Sequence, residues 1–482
     1  MAPSRSVVVA HTNTGGPSLV MDKIRADASL SLQVVEDYVW NLAVECYRET
    51  LIEVLSALDK ALYNKRDPER YVYKEMRSRD VLTKVGPISL KRRYYWDRVA
   101  ECYVFLLDEA LGLAKRQRVS ESVRAEAVEA AVTGGSFRGA AAELERRGCQ
   151  VHVSHEAVRQ WTIQTGRAIA RAAKQRQEST AGTRRVPVLF IEADGFWPGR
   201  QRGKKAEVRL FVIHEGWVKR TAGSQEYSLV NRRDFVPDRG RDSWEQLSEF
   251  LESEYDLSET WVIINGDRAP WIRKGVTWFR KALYQIDRFH LKRELRHALR
   301  RQSHRLKEAE EALAANDATR LLTVLEKARE AEADSGCRQE LGKLLADLKT
   351  IPESTRDYRV RLQERGVNVE GLRGLGAAEG AVERYSARLR KVGRSWSETG
   401  LMAMLHVMAA YFRGVLQGAV QYVERQLGLE SLQAAREKVR HRVLETVSRG
   451  IDGALHARMP ILQAGRNASG GYSRTLRGLA GL

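Results

Sequence analysis

The sequence predicts a multidomain α+β protein: an N-terminal mainly helical module, a helix-turn-helix, and a mixed α/β unit interrupted by an all-helical insertion. Three observations predict it. At about 150 residues per domain, 482 residues make about three domains. The hydrophobic period is near 3.6 up to residue 178, apart from one β-rich stretch, falls to 2 from residue 186, and returns to 3.6 from residue 291. The charge is lopsided: 81 Lys plus Arg face 62 Asp plus Glu, a formal net charge of +19. With 43% hydrophobic residues a chain of this length can bury a core, which excludes wholesale disorder. The positive surplus argues for a polyanionic partner. Nucleic acid fits better than a membrane surface, because no short basic amphipathic helix stands apart.

The elements follow in order. Residues 1–25 are rich in Ser, Thr, Gly and Pro and read as a loose N-terminus. Residues 26–118 form the first module. Val34, Val35, Val39, Leu42, Cys46, Val54 and Leu55 recur at helical spacing, residues 85–96 alternate as a strand or hairpin with a basic face, and helix returns at 103–113. Residues 119–178 hold three helices, 121–132, 137–147 and 155–173, with Ser136 and Ser154 as N-caps. Two helices joined by a short turn behind a packing helix make the helix-turn-helix pattern, which an ordinary three-helix bundle shares. The third helix would turn His155, Arg159, Gln160 and Gln164 outward, and Val158, Trp161 and Ile169 inward.

From 185 to 294 the expected order is β-β-β-α-β-α-β. Strands fall at 186–195, 208–216, 227–236, 261–267 and 282–287; helices fall at 243–255, capped by Ser243, and 269–278, begun by Pro270. Residues 295–370 read as a helical insertion with leucine stripes, broken at Asn316-Asp317 and Ile351-Pro352. Residues 371–459 return to the α/β unit after a Gly-rich bend, and 460–482 form a basic, Gly-rich tail. The apolar stretch 400–420 carries His406, Arg413 and Gln417, so it reads as a buried helix, and no membrane partner is expected. Four scattered cysteines with no C-x-x-C pair exclude a zinc ribbon and argue for a reducing, cytoplasmic setting, as does the missing secretory leader.

Two acids, Asp194 and Asp267, stand at the carboxyl ends of expected strands, where α/β sheets place their chemistry. Each has an adjacent glycine, Gly195 or Gly266, and Glu192 shares a strand face with Asp194. Two carboxylates on neighbouring strands suit Mg²⁺, a hard ion that takes oxygen ligands. Paired ions can activate water or a 3′-hydroxyl for phosphodiester chemistry. Taken singly, each acid beside its glycine reads more readily as a turn; the two together, in a chain this basic, point to a site. Glu379 is the candidate third acid, at the start of a helix followed by Arg388 and Arg394, with Glu383 its rival one turn on. Residues 271–305 carry eleven Lys/Arg, Arg273, Lys274, Lys292 and Arg293 among them, against Asp287 and Glu294 only. Such a run beside an acidic site suits a nucleic-acid backbone, although charge runs are usually solvated helix faces. Trp271, Trp278 and Phe279 read as core.

Four blocks in order carry a resemblance: Ile191-Glu-Ala-Asp-Gly195, Ile264-Asn-Gly-Asp-Arg-Ala-Pro-Trp-Ile272, Gln285-Ile-Asp-Arg-Phe-His-Leu-Lys-Arg293, and Gly376-Ala-Ala-Glu-Gly380 with Gly393-Arg-Ser-Trp-Ser397. They resemble the ISLre-type bacterial insertion-sequence transposases, a group also catalogued as an uncharacterised protein family. The resemblance extends from about residue 85 to the C-terminus. It implies a ribonuclease-H-like catalytic domain near the Mutator-like branch. Asp194, Asp267 and Glu379, spaced by 73 and 112 residues, would be the catalytic and metal-ligating triad for two Mg²⁺ or Mn²⁺ ions. Asp287 and His290 match the D-x-x-H signature that follows the second acid there, and His290 could position a phosphate. Arg268, where a small residue is common, and Gly376-Ala-Ala before Glu379 depart from the pattern without removing an acid.

The implied function is DNA strand cleavage at element ends and transfer of the freed 3′-hydroxyl to target DNA, by an oligomer on double-stranded DNA. The helix-turn-helix would help recognise the ends. A metal nuclease that cuts without joining, and a catalytically decayed relative acting as a DNA-binding regulator, remain rivals. A purely structural helical scaffold is disfavoured by the paired strand-end acids and the charge.

Overall fold

The computed structural model describes residues 31–426, other than 115–116, 147–150, 180, 203–205, 222 and 391–392. The expected loose N-terminus at 1–25 and the tail at 460–482 therefore lie outside the described residues. The described chain is a mixed α+β protein that divides into two compact units, one holding 31–123 and 144–152, the other 124–143 and 153–426.

The first unit begins with α1 (Leu32–Lys65), capped where Ser31 Oγ accepts from the Val34 amide. A hairpin follows, β1 (Tyr71–Thr83) and β2 (Gly86–Asp97), antiparallel from Tyr71↔Asp97 to Thr83↔Gly86, with β3 (Cys102–Val104) on the far edge of β2 and α2 (Leu106–Leu111) after it. Leu62, Leu90, Tyr95, Leu106 and Leu107 make its core. Arg79 and Arg92 both bind Asp108, and Arg93 binds Asp59, so much of the basic face is neutralised internally. Two expectations need correction. The 103–113 stretch is a short strand plus a short helix. The apolar stripe of α1 is not a core stripe: Val39, Trp40, Leu42, Tyr47 and Val54 are exposed, and only Val44, Asp59 and Leu62 are buried.

Next come α3 (Glu121–Thr133), α4 (Phe137–Arg146) and α5 (His155–Ser179). Ser136 Oγ accepts from the Gly139 amide at 2.9 Å and Ser154 Oγ from the Ala157 amide at 3.1 Å, so both serines cap as expected. Helix α5 continues to Ser179, beyond the expected 173.

In the second unit, β4 (Val188–Phe196), β5 (Val208–His214), β8 (Arg233–Phe235), β9 (Trp261–Gly266) and β10 (Ala282–Ile286) form one five-stranded sheet in the order β10-β9-β4-β5-β8. β5 runs antiparallel to both its neighbours, β4 and β8, while β9 and β10 run parallel to β4. The expected strand at 227–236 breaks into β7 (Tyr227–Leu229), which pairs with β6 (Trp217–Lys219), and β8. Asn231, with φ +49°, makes the break. Between β8 and β9 lies α6 (Ser243–Glu252), whose cap is Asp242 rather than Ser243. After β9 come α7 (Pro270–Arg273) and a 3₁₀ turn (Lys274–Trp278).

Beyond β10, α8 (Arg288–Ala298) leads into the insertion, α9 (Ser303–Ala314), α10 (Ala318–Ala331) and α11 (Ser335–Thr350). Leu313, Leu321, Leu325, Leu341, Leu344, Leu345 and Leu348 join the apolar side of the sheet, with Leu189, Ile191, Ile213, Val262 and Ile264, in one core. Trp271, Trp278 and Phe279 pack against the same core. Helices α12 (Tyr358–Gln363), α13 (Ala377–Leu389), α14 (Glu398–Phe412) and α15 (Leu416–Gln426) close the described chain. Helix α14 buries Leu401, Met404, Leu405 and Met408 and ends before Gly414. Among the described residues no helix is long and apolar enough to cross a membrane. Cys46, Cys102 and Cys337 are free thiols; Cys149 lies outside the described residues.

Candidate active site

Strand register puts three aspartates in one row. Ala193 pairs with Gly266, and Gly266 with Ile286, so Asp194, Asp267 and Asp287 follow one another across three adjacent parallel strands. Side chains two apart on a strand share a face. The row beneath on that face is Glu192, Asn265 and Gln285. The turn reading of Asp-Gly fails at Asp194: both residues lie inside β4, paired with Leu210 and Arg209 of β5. Gly266 is needed for close approach, since a Cβ there would stand 2.6 Å from the Ala193 carbonyl oxygen.

The three aspartates differ in how far they are satisfied. Asp287 caps α8, accepting from the His290 amide at 2.9 Å, from His290 Nδ1 at 2.9 Å, and from Asn265 Nδ2 at 3.2 Å. Burial pushes its carboxyl up, but the His290 and Asn265 hydrogen bonds outweigh that and hold it below the usual carboxylate range. The same pairing raises His290. Asp194 accepts only the Gly195 amide at 2.7 Å, and Asp267 only the Ala269 amide at 2.9 Å, among the described residues. Each therefore keeps one carboxylate oxygen available. Burial pushes Asp194 up to about 6; Asp267 and Asp287 add to the rise, while the Gly195 amide and His290 oppose it. A carboxyl raised chiefly by burial, with like charges beside it, is what a divalent cation would relieve, and hard oxygen donors suit Mg²⁺ or Mn²⁺.

Glu379 sits in the first turn of α13 and is exposed. Helix α13 packs over β4 and β5 through Ala378, Ala381 and Tyr385, and Arg384 lies by Arg232 and Asp234 on the β8 side. Glu383 is exposed as well, and at about 100° per residue the two glutamates stand only about 40° apart, both off the buried stripe of the helix. Among the described residues no three His, Cys, Asp or Glu side chains are grouped closely enough to hold a metal. Asp194 and Asp267 thus stand at adjacent strand ends, and Glu379 is not grouped with them.

The other expected contacts divide. His155, Gln160 and Gln164 are exposed along α5, while Arg159 and Gln160 are both bonded to Glu156. Of the basic run, Lys274 pairs with Asp242, Lys281 with Glu259, Arg296 with Glu310, Arg300 with Glu340 and Arg301 with Asp334. The acids missing from the run come from other elements, so the expected unopposed track is largely paired. Arg273, Lys292 and Arg293 make no ion pair among the described residues. Arg388 is 5% exposed, donates to the Ala131 carbonyl and stacks on Phe137 and Trp396. That burial removes it from any DNA-facing surface. Arg394 donates to the Arg388 carbonyl. Sequence reasoning noted Arg268 only as a departure from the pattern and missed its role: it binds Glu294 and Asp347 and so ties the loop after β9 to the insertion. It also missed the work of Glu192, which is buried and bonded to groups from three other segments.

The fold and site define an α+β protein with an acidic row at the carboxyl ends of parallel strands. The chain belongs to the uncharacterised protein family UPF0236, whose family model matches residues 25–426. It is 29% identical over 396 residues, 81% of this chain and 85% of the other, to the UPF0236 protein in the vanSb 3′ region of Streptococcus gallolyticus. A UPF0236 protein of Caldanaerobacter subterraneus subsp. tengcongensis is 25% identical over 378 residues, 75% of this chain and 74% of that one. The Drosophila P element transposase strand transfer complex aligns over 71% of this chain and 88% of its own at 9% identity. Its TM-score of 0.22 is too low for the alignment to carry an argument.

Proposed function

We propose that this protein is a metal-dependent DNA transposase of an insertion sequence, cutting and joining strands at element ends with Asp194, Asp267 and Glu379. The observation that carries the reading is the Asp194–Asp267 pair: adjacent strand ends, one oxygen free on each, and Asp194 held near 6. The sheet, an antiparallel half continued by a parallel half, is consistent with a ribonuclease-H-like core. One Caldanaerobacter relative bears eleven locus designations under a single name, the multi-copy pattern a mobile element leaves.

Asp194 and Asp267 would hold two Mg²⁺ or Mn²⁺ ions, with Glu379 as the third ligand. When bound, such ions supply an activated water or 3′-hydroxyl and stabilise the leaving oxygen. The cationic form of His290, favoured by Asp287 and close enough to Asp194 to lower its pKa, suits the phosphate being cut. Arg273, Lys292 and Arg293 would hold the backbone and the exposed α5 stripe would read the ends. Joining two ends calls for an oligomer on DNA.

The test is a cleavage and joining assay on labelled element-end DNA with Mg²⁺ or Mn²⁺, beside Asp194→Ala, Asp267→Ala and Glu379→Ala. Joined product that requires metal and disappears in all three variants is expected. Cleavage without joining would make it a nuclease; DNA binding unchanged by the substitutions, without cleavage, would make it a regulator.

A further inference from the structure

Glu192 is 1% exposed, and among the described residues no Lys or Arg pairs with it. Its carboxylate is held by four N–H donors. His214 Nε2 lies 3.2 Å from Oε1, and Oε2 accepts from Asn265 Nδ2 at 3.2 Å and from the Gly376 and Ala377 amides at 2.6 and 2.8 Å. The His214 tautomer follows from its other nitrogen. Nδ1 accepts the Gly216 amide at 3.2 Å, so Nε2 bears the proton and donates. The Gly376 and Ala377 amides have no acceptor within the helix, being at the start of α13, where the helix favours negative charge. Gly376 has φ +149°, a conformation that favours glycine, and it turns its amide into the sheet. A glutamate on β4 therefore does the capping that no side chain of α13 does.

Two features make this a matter for the site as well as for folding. Glu192 lies two residues before Asp194 on the same face, and Ala377 lies two residues before Glu379. One carboxylate thus links the strand that carries the first acid to the helix that carries the third. Asn265 continues the link, giving its second amide hydrogen to Asp287, which holds His290. We propose that Glu192 is a positioning residue: it docks the first turn of α13 on β4 and so sets the distance and rotation at which Glu379 meets the Asp194–Asp267 pair. This rests on the functional reading above.

The test uses the full chain. Hydrogen exchange at 376–382 is measured without metal, and the cleavage rate at saturating element-end DNA is measured with Mn²⁺, for wild type, Glu192→Ala, Glu192→Gln and Glu379→Ala. Glu192→Ala is expected to speed exchange in the first turn of α13 alone. It should cut the cleavage rate about 10- to 100-fold, the usual cost of losing a group that orients a ligand, with the DNA Kd unchanged. Glu192→Gln keeps the reach and one acceptor oxygen, so it should restore protection of α13 and much of the rate. Glu379→Ala should abolish cleavage with exchange unchanged. Should Glu192→Ala not fold, Glu192→Asp, which keeps charge and loses reach, carries the same expectation. Unchanged exchange at 376–382, an unchanged rate, or loosening spread evenly over the unit would each overturn the proposal. A wild-type chain that never cleaves overturns the functional reading instead, and the exchange measurement then still decides whether Glu192 docks the helix.

Discussion

Asp194 and Asp287 stand in the same row and titrate in opposite directions because of what donates to them. Asp287 has three N–H donors and stays ionised, whereas Asp194 has one and faces two like charges. In metal-free protein the Asp194 carboxyl should titrate near 6. Asp267→Asn should lower that midpoint by removing a like charge, and His290→Ala should raise it. ¹³C NMR of labelled aspartate checks all three, and an Asp194 midpoint near the ordinary value would remove the argument for a strained acidic pair. The linkage has a definite sign. Because the folded state holds this proton more tightly than the unfolded chain, the Asp194 contribution to stability falls as pH rises from about 4 to about 6. Below and above that window it is flat. At this scale the sequence was informative where one residue and its strand position sufficed, as for Asp194 and Asp267. It placed Glu192 on the strand face of Asp194 but not its contacts, because the partners come from residues 214, 265, 376 and 377 and no local pattern marks them.

Elements were legible where burial follows the periodic pattern. The helices of the insertion are the clear case: Asp317 and Asp334 cap α10 and α11, accepting from the Arg320 and Cys337 amides at 2.8 Å each. Asp317→Ala and Asp334→Ala should each cost about 0.5–2 kcal/mol by urea denaturation, the usual worth of an N-cap. Leu341→Ala, at 0% exposure in the core shared with the sheet, should cost about 2–5 kcal/mol. Equal melts for Leu341→Ala and wild type would mean that the insertion does not share the core. Strand β1 escaped notice because Lys74, Glu75, Arg77, Arg79 and Asp80 break its apolar alternation; it is an edge strand, exposed from Tyr73 to Ser78, so burial never imposed the pattern. Helix α1 shows the converse, a periodic apolar stripe left exposed. The split of 227–236 turned on a single residue, Asn231, in a left-handed conformation.

For the whole molecule, the net charge of +19 overstates what any one track offers DNA. Residues 271–305 look unopposed in the sequence only because their partners lie elsewhere: Asp242 and Glu259 before the run, Glu310, Asp334 and Glu340 after it. A lysine already paired releases fewer counterions when phosphate displaces its partner than a free one does. DNA affinity should therefore fall steeply with salt, but unevenly among the basic residues. Lys292→Ala and Arg293→Ala should each weaken binding across all DNA sequences and reduce the slope of log K against log salt by about 1. Arg300→Ala, whose guanidinium is engaged by Glu340 and the His297 carbonyl, should leave the slope unchanged. Fluorescence anisotropy with a labelled duplex between 50 and 200 mM salt would separate them, a range over which such contacts change affinity by orders of magnitude. If Arg300→Ala moved the slope as much as Lys292→Ala, the ion pairs of the insertion would be giving way to DNA, and the insertion itself would become part of the DNA-binding surface.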